Sequence, residues 1–207
     1  MHLEFLVEEA SLESALTQIL PKILPSTVTY KIHAFRGKTD LLAKLPNRLK
    51  GYQAWLPPDR KIVVLIDKDR EDCLKLKQQL EIMAISSGLI TKSSCQKDKL
   101  FQVLNRIVVE ELEAWFFGDV EAICQAYPKV SPNLATQKKY REPDAIKGGT
   151  WEALERVLRK AGYHQGGLEK YKASSEISKY MNPELNRSTS FQAFYRGLLD
   201  CINNKQI

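Results

Sequence analysis

Residues 61 to 72 read KIVVLIDKDRED, an apolar run that stops at two aspartates one residue apart, Asp67 and Asp69. Carboxylates at that density have two uses. They can offer hard oxygen donors to a divalent cation, with Mg²⁺ the commonest choice, or they can place negative charge on the first turn of the next helix, where it caps backbone N–H groups. At a strand end the D-x-D spacing favours the first use, because the i and i+2 side chains point to the same side and can reach one ion. Two more acidic groups follow apolar runs in the same way. Glu8 and Glu9 follow LEFLV, with Glu13 a turn further on, and Glu110, Glu111 and Glu113 follow VLNRIVV. For Glu9 and Glu13 a first-turn helix charge is an equal reading. For the three later glutamates the alternative is a solvated helix face, with only one or two of them turned inward.

Basic residues stand close to these acids. Lys68 and Arg70 interleave with the two aspartates, and Lys38 stands where a helix begins, so all three are candidates to neutralise a phosphate. Gly37-Lys38-Thr39 has the ending of a phosphate-binding loop, but that loop needs a glycine five positions before Gly37 and Ile32 stands there. The threonine of the haloacid-dehalogenase signature is missing too, since Glu71 occupies its place. No serine lies in a G-x-S-x-G context, and His2, His33 and His164 share no ligand spacing with the cysteines at 73, 95, 124 and 201. The four cysteines read as reduced thiols.

The elements that must position these groups follow from the hydrophobic pattern. A strand over 3–8 leads to a helix capped by Ser11, with Leu12, Ala15, Leu16, Ile19 and Leu20 on one face and Pro21 kinking or ending it. A second strand over Val28 to Phe35 precedes a helix carrying Leu41, Leu42, Leu45 and Leu49. The run IVVLI at 62–66 is uniformly apolar, which suits a strand buried on both faces of a parallel sheet. A helix from Arg70 to Ser87 follows, with Leu76, Leu80 and Met83 inward and Gly88 ending it. After a last strand over Val103 to Val109 the pattern is helical: Glu110 to Phe117, Val120 to Tyr127, Trp151 to Ala161, Leu168 to Met181 and Phe191 to Ile202. Residues 128–149 read as a long surface connection. The expectation is an α/β fold, a small, mainly parallel sheet flanked by helices in residues 1–120, with a helical C-terminal extension, 121–207, packed on it. In such sheets ligands bind at the carboxyl ends of the strands, which is where all three acidic groups fall.

The chain has 207 residues, 43% hydrophobic and 27% charged, within the ordinary globular range. Its net charge of +6 favours anionic partners, nucleic acid among them, without requiring them. No apolar run approaches the length of a membrane span and no cleavable leader is evident, so the expected location is cytoplasmic with no membrane partner.

Taken together, LVEE, the S-x-E helix start and LIDKD resemble the Toprim domain of topoisomerases, bacterial primases and OLD-type nucleases. Over nearly the whole chain, MHLEFLVEE, FRGKTDLL, VVLIDKD, EELEAWFFGD, DAIKGGTWEALERVL and NRSTSFQAF resemble a bacterial Toprim-related family of unknown function. The resemblance implies Mg²⁺ (or Mn²⁺) held by Glu8, Asp67 and Asp69, with Glu9, Glu13 or Glu113 completing one or two sites, and hydrolysis of DNA or RNA. Glu9 stands where Toprim proteins usually have glycine, so either Glu8 or Glu9 can lead the set. Arg187, with Ser188 and Ser190, is a further phosphate-contact candidate beside a plain helix cap, and Trp115 reads as a core anchor sooner than a base-stacking platform. Family members of this type resemble components of bacterial defence systems that act beside an ATPase. The rival expectations are therefore a non-catalytic effector or sensor module with an ATPase partner, and a metal-dependent phosphotransferase or nucleotide-processing enzyme.

Overall fold

The structure, a computed structural model, describes residues 1–96 and 99–204, so the last three residues of the expected extension lie outside it. Strands β1 (His2–Val7), β2 (Thr29–Ala34), β3 (Arg60–Asp67) and β4 (Val103–Val108) pair in parallel in the order β2-β1-β3-β4. Helices α1 (Ala10–Ile23), α2 (Lys38–Trp55) and α3 (Cys73–Ser86) make the crossovers that parallel strands require. The chain is thus an α/β protein with an all-parallel sheet flanked by helices.

Alternation along β1 and β3 divides the interior into two cores. Leu6, Ile62, Val64 and Ile66 face α2 and α3, meeting Leu41, Leu45, Leu49, Leu76, Leu80 and Ala84. Leu3, Phe5, Val7, Val63 and Leu65 face α1 and the second half of the chain. That half comprises α4 (Glu113–Gly118), α5 (Val120–Ala126), three short 3₁₀ turns between residues 132 and 145, α6 (Thr150–Lys160), α7 (Lys170–Ser178) and α8 (Thr189–Asn203). Its buried residues and those of β1, β3 and α1 form one continuous core, so no break in packing falls near residue 120. Trp115 is fully buried there, its indole Nε1 donating to Ser190 Oγ at 3.0 Å and its ring stacked on Phe194 at 5.1 Å. Each Leu, Ile, Val or Phe buried this completely contributes about 1.5–3 kcal/mol relative to exposure.

Several boundaries differ from the expected ones. Helix α1 starts one residue before Ser11, with Glu9 in the cap position, and runs through Pro21 to Ile23. Helix α3 starts at Cys73, not Arg70, because the Asp72 carboxylate accepts from the amides of Leu74 (2.9 Å) and Lys75 (3.0 Å) and so fixes the cap. Ala84 joins Leu76 and Leu80 on its buried face with Met83 half-buried against the same core, and Gly88 ends it in the left-handed region at φ 79°. The helix expected from Glu110 begins at Glu113, since Glu110 itself has φ 63° and cannot belong to a right-handed turn. The connection over 128–149 carries three 3₁₀ turns and turns Val130, Leu134, Tyr140 and Ile146 into the core.

Candidate functional site

Strand order decides where a site can form. Helix α1 leaves β1 over one face of the sheet, whereas α2 and α3 cover the other, so the topology switches between β1 and β3. At such a point the loops diverge and open a crevice beyond the carboxyl ends of the strands. Glu8 follows the last residue of β1, and Asp67 is the last residue of β3, paired with Val108 of β4. The two acids flank the switch.

Glu8 and Asp67 are each 8% exposed, and Glu113, the first residue of α4, is 2% exposed. Glu8 Oε2 accepts a hydrogen bond from the main-chain amide of Asp67 at 3.0 Å. With bond lengths near 1.5 Å, that contact keeps the two carboxylates within about 8 Å of one another. Asp67 Oδ1 is buried and has no hydrogen-bond partner among the described residues. A buried, unpartnered carboxylate oxygen is costly unless a proton or a cation meets it.

The electrostatics agree with the geometry. Burial, reinforced by the charges of Glu8, Glu113, Glu9 and Asp69, lifts the Asp67 carboxyl well above the usual range. Burial likewise raises Glu8 to about 6, even though the Asp67 amide favours its ionised form. Glu113 is raised to about 7, again by burial, with Lys170 pulling the other way. All three acids at this sheet edge therefore lose their protons less readily than ordinary carboxyls, which marks a shortage of positive charge. Even so, among the described residues no group of three or more His, Cys, Asp or Glu side chains stands in a ready ion-holding arrangement.

Asp69 departs from the D-x-D expectation. The strand ends at Asp67 and the chain turns at Asp69 into the left-handed region, φ 51°, so the rule that i and i+2 share a side no longer applies. Its carboxylate is instead 2.7 Å from Lys38 Nζ, which also reaches Glu71 at 3.0 Å and the Lys68 carbonyl at 3.2 Å. Lys38 is thereby held strongly protonated: burial opposes its charge, but the contacts with Asp69 and Glu71 outweigh it. Lys68 pairs with Glu110 Oε1 at 2.9 Å, while the Asp69 amide donates to the Glu110 carbonyl at 2.9 Å. These bonds tie the loop after β3 to the loop after β4.

Of the other expected residues, Glu9 lies beside the cluster, its carboxylate accepting from the Ser11 hydroxyl. Glu13 lies in the first turn of α1, further along the chain. Arg70 is exposed in the turn before α3. Arg187 is exposed too, its amide donating to the Gly118 carbonyl at 2.9 Å, and the next residue, Ser188, caps α8. The sequence reading placed Glu111 in the acidic group but missed its role, and it missed Lys170 altogether. Glu111 Oε2 caps α6, accepting from the Thr150 amide (2.9 Å), its hydroxyl (2.9 Å) and the Trp151 amide (3.0 Å). Lys170, at the start of α7, is the half-buried cation whose charge acts on Glu113, Glu9, Glu111 and Asp67. It is held there by α1, whose Ser14 hydroxyl donates to the Tyr171 carbonyl (3.1 Å) and whose Lys22 ammonium donates to the carbonyls of Ser178, Lys179 and Met181 at 2.7–2.9 Å.

Fold and site together define a parallel α/β protein with a buried acidic cluster at its topological switch point. Residues 7–199 match the model of the Domain of unknown function DUF4276, and the chain belongs to that family. No curated protein and no solved structure gives a significant match.

Proposed function

We propose that the chain is a Mg²⁺- or Mn²⁺-dependent nuclease of the Toprim kind, hydrolysing phosphodiesters of DNA or RNA at the edge formed by Glu8 and Asp67. The observation that carries the reading is Asp67 itself, buried at the switch point with Oδ1 unpartnered and flanked by two other buried acids. The donors are hard carboxylate oxygens, which suit a divalent cation of this class. Asp67 and Glu8 would hold it, with Glu113 and Glu9 the nearest additional acids; Asp69 would join only by leaving Lys38. A cation bound there supplies charge for the phosphate and an activated water. The protein's own part is to exclude bulk water around Asp67, to keep Glu8 against its amide, and to hold Lys38 and Lys68 beside the cluster. The resemblance to OLD-type nucleases supports the same reading, and it alone supports a place in a bacterial defence system beside an ATPase.

One observation favours a second reading. Because no three ligands are gathered in advance among the described residues, the acids could share protons in place of a cation, and the fold would then serve as a non-catalytic effector or sensor for an ATPase partner. Incubating the protein with plasmid, single-stranded DNA and RNA in Mg²⁺ or Mn²⁺, beside Asp67→Ala and Asp69→Ala, separates the two. The nuclease reading expects cleavage abolished by Asp67→Ala and reduced by Asp69→Ala. It is lost if nothing is cut, or if Asp67→Ala cuts as wild type does.

A further inference from the structure

Two adjoining cavities, of about 540 and 390 Å³, open where residues 129–147 pass over α6, and they share Lys139, Tyr140 and Arg156. The first is also lined by Lys138, Arg141 and Lys147, and the second by Lys129 and Lys160. Seven of the chain's 31 basic residues line the pair, against one of its 25 acidic residues, Glu142. The rest of the chain therefore carries 24 of each sign, and the whole net charge of +6 resides in this one groove. None of the seven cations forms an ion pair with a carboxylate among the described residues, whereas Lys38, Lys68, Lys77 and Lys92 all do.

From this we infer that the groove is a docking surface for the phosphate backbone of duplex nucleic acid, set apart from the acidic cluster. Seven cations with no carboxylate partner among the described residues, around adjoining concavities, exceed what a single phosphate can use, and they suit a chain of evenly spaced anions. A membrane-binding face would present exposed apolar side chains for insertion, but among the described residues no exposed large hydrophobic lines either cavity. A single-strand platform would offer an open aromatic ring, and here the one aromatic, Tyr140, is 3% exposed and stacked on Phe117 at 4.9 Å. The contact is thus to backbone, without sequence preference. Phe117 lies one turn along α4 from Glu113, about 6 Å along the axis at 1.5 Å per residue, so a rigid helix links the floor of the groove to the cluster. The inference rests on the nuclease reading only for the purpose of docking; binding itself requires no catalysis.

The test is fluorescence anisotropy of a labelled random-sequence duplex with the full chain in EDTA, across a salt series. Wild type should bind, and Asp67→Asn should bind equally. Lys139→Glu with Arg156→Glu should weaken binding at least tenfold and flatten the log–log salt slope by about 2, given about 0.9 per phosphate contact. Reversing the exposed Lys50 and Lys179 makes the same change in net charge and should alter affinity less than about twofold, as expected of charges outside the contact. Should the reversal perturb folding, the neutral pair Lys139→Gln with Arg156→Gln is read in the same way. The inference is overturned if wild type does not bind duplex, if the groove variants bind as wild type does, if both reversals weaken binding alike, or if anionic vesicles compete more strongly than duplex. Cleavage lost in Asp67 variants with binding indifferent to the groove sinks this inference alone; groove-dependent binding without cleavage sinks the nuclease reading alone.

Discussion

The Glu8 carboxylate accepts the main-chain amide of Asp67 at 3.0 Å, so the acid that follows β1 grips the end of β3 through its backbone and lies beside its side chain. This contact sets hydrogen bonding against charge. Glu8→Ala strands a buried N–H and should cost about 1–3 kcal/mol. Glu8→Gln keeps an acceptor while removing a charge next to Asp67, so in EDTA near neutral pH it should be at least as stable as wild type. Urea unfolding of the three proteins checks the order; an alanine variant as stable as the glutamine variant would contradict it.

Stability of the metal-free protein should depend on pH with a definite sign. Glu8 and Glu113 titrate at about 6 and about 7 in the folded chain, above the ordinary 4.5. Between those limits the folded state binds more protons than the unfolded one, so stability is highest at the acidic end and falls as pH rises through the window. For Glu8 alone the loss is about 2 kcal/mol. Unfolding measured in EDTA from pH 4.5 to 8 should show the decline, and Mg²⁺ should offset it at the upper end. A flat profile, or a rise, would count against the raised values.

Lys170 should be felt at Glu113 from another helix. Its charge is the leading influence that favours ionised Glu113 against burial, so Lys170→Met should push that carboxyl above about 7. A carboxyl-carbon NMR titration reads the change directly. An unmoved Glu113 would place Lys170 outside the cluster.

Glu111 stands two residues before Glu113 but does different work. Glu111→Ala should remove the cap of α6 at a cost of about 0.5–2 kcal/mol, while leaving divalent-cation affinity unchanged. Thermal unfolding paired with a cation titration separates the effects, and a large loss of cation affinity would show Glu111 to be part of the site.

The sequence made the sheet and its acidic edge legible because IVVLI is apolar without a break and stops at Asp67, a pattern that fits a doubly covered parallel strand. Asp69 was harder to read. The D-x-D rule presumes that the strand continues, and nothing in hydrophobic period marks a turn into the left-handed region, which aspartate tolerates. Glu111 and Glu113 share one short acidic run, yet one caps a distant helix and the other is buried at the cluster; that choice is made by the tertiary fold. Lys170 left no local signal, since only the packing of α7 on α1 brings it to the acids. The basic groove was hidden for a related reason: its cations come from the 129–147 connection and from α6, and the sequence shows them only as a modest overall excess.

The most direct measurement is a calorimetric titration of Mn²⁺ into the full chain near neutral pH, compared with Asp67→Asn. If Asp67 anchors a divalent cation between β1 and β3, wild type should bind with saturable heat and the variant should lose that binding. Absence of saturable binding by wild type, or an Asp67→Asn variant that binds as tightly, would contradict the metal centre and leave the cluster as a set of shared protons.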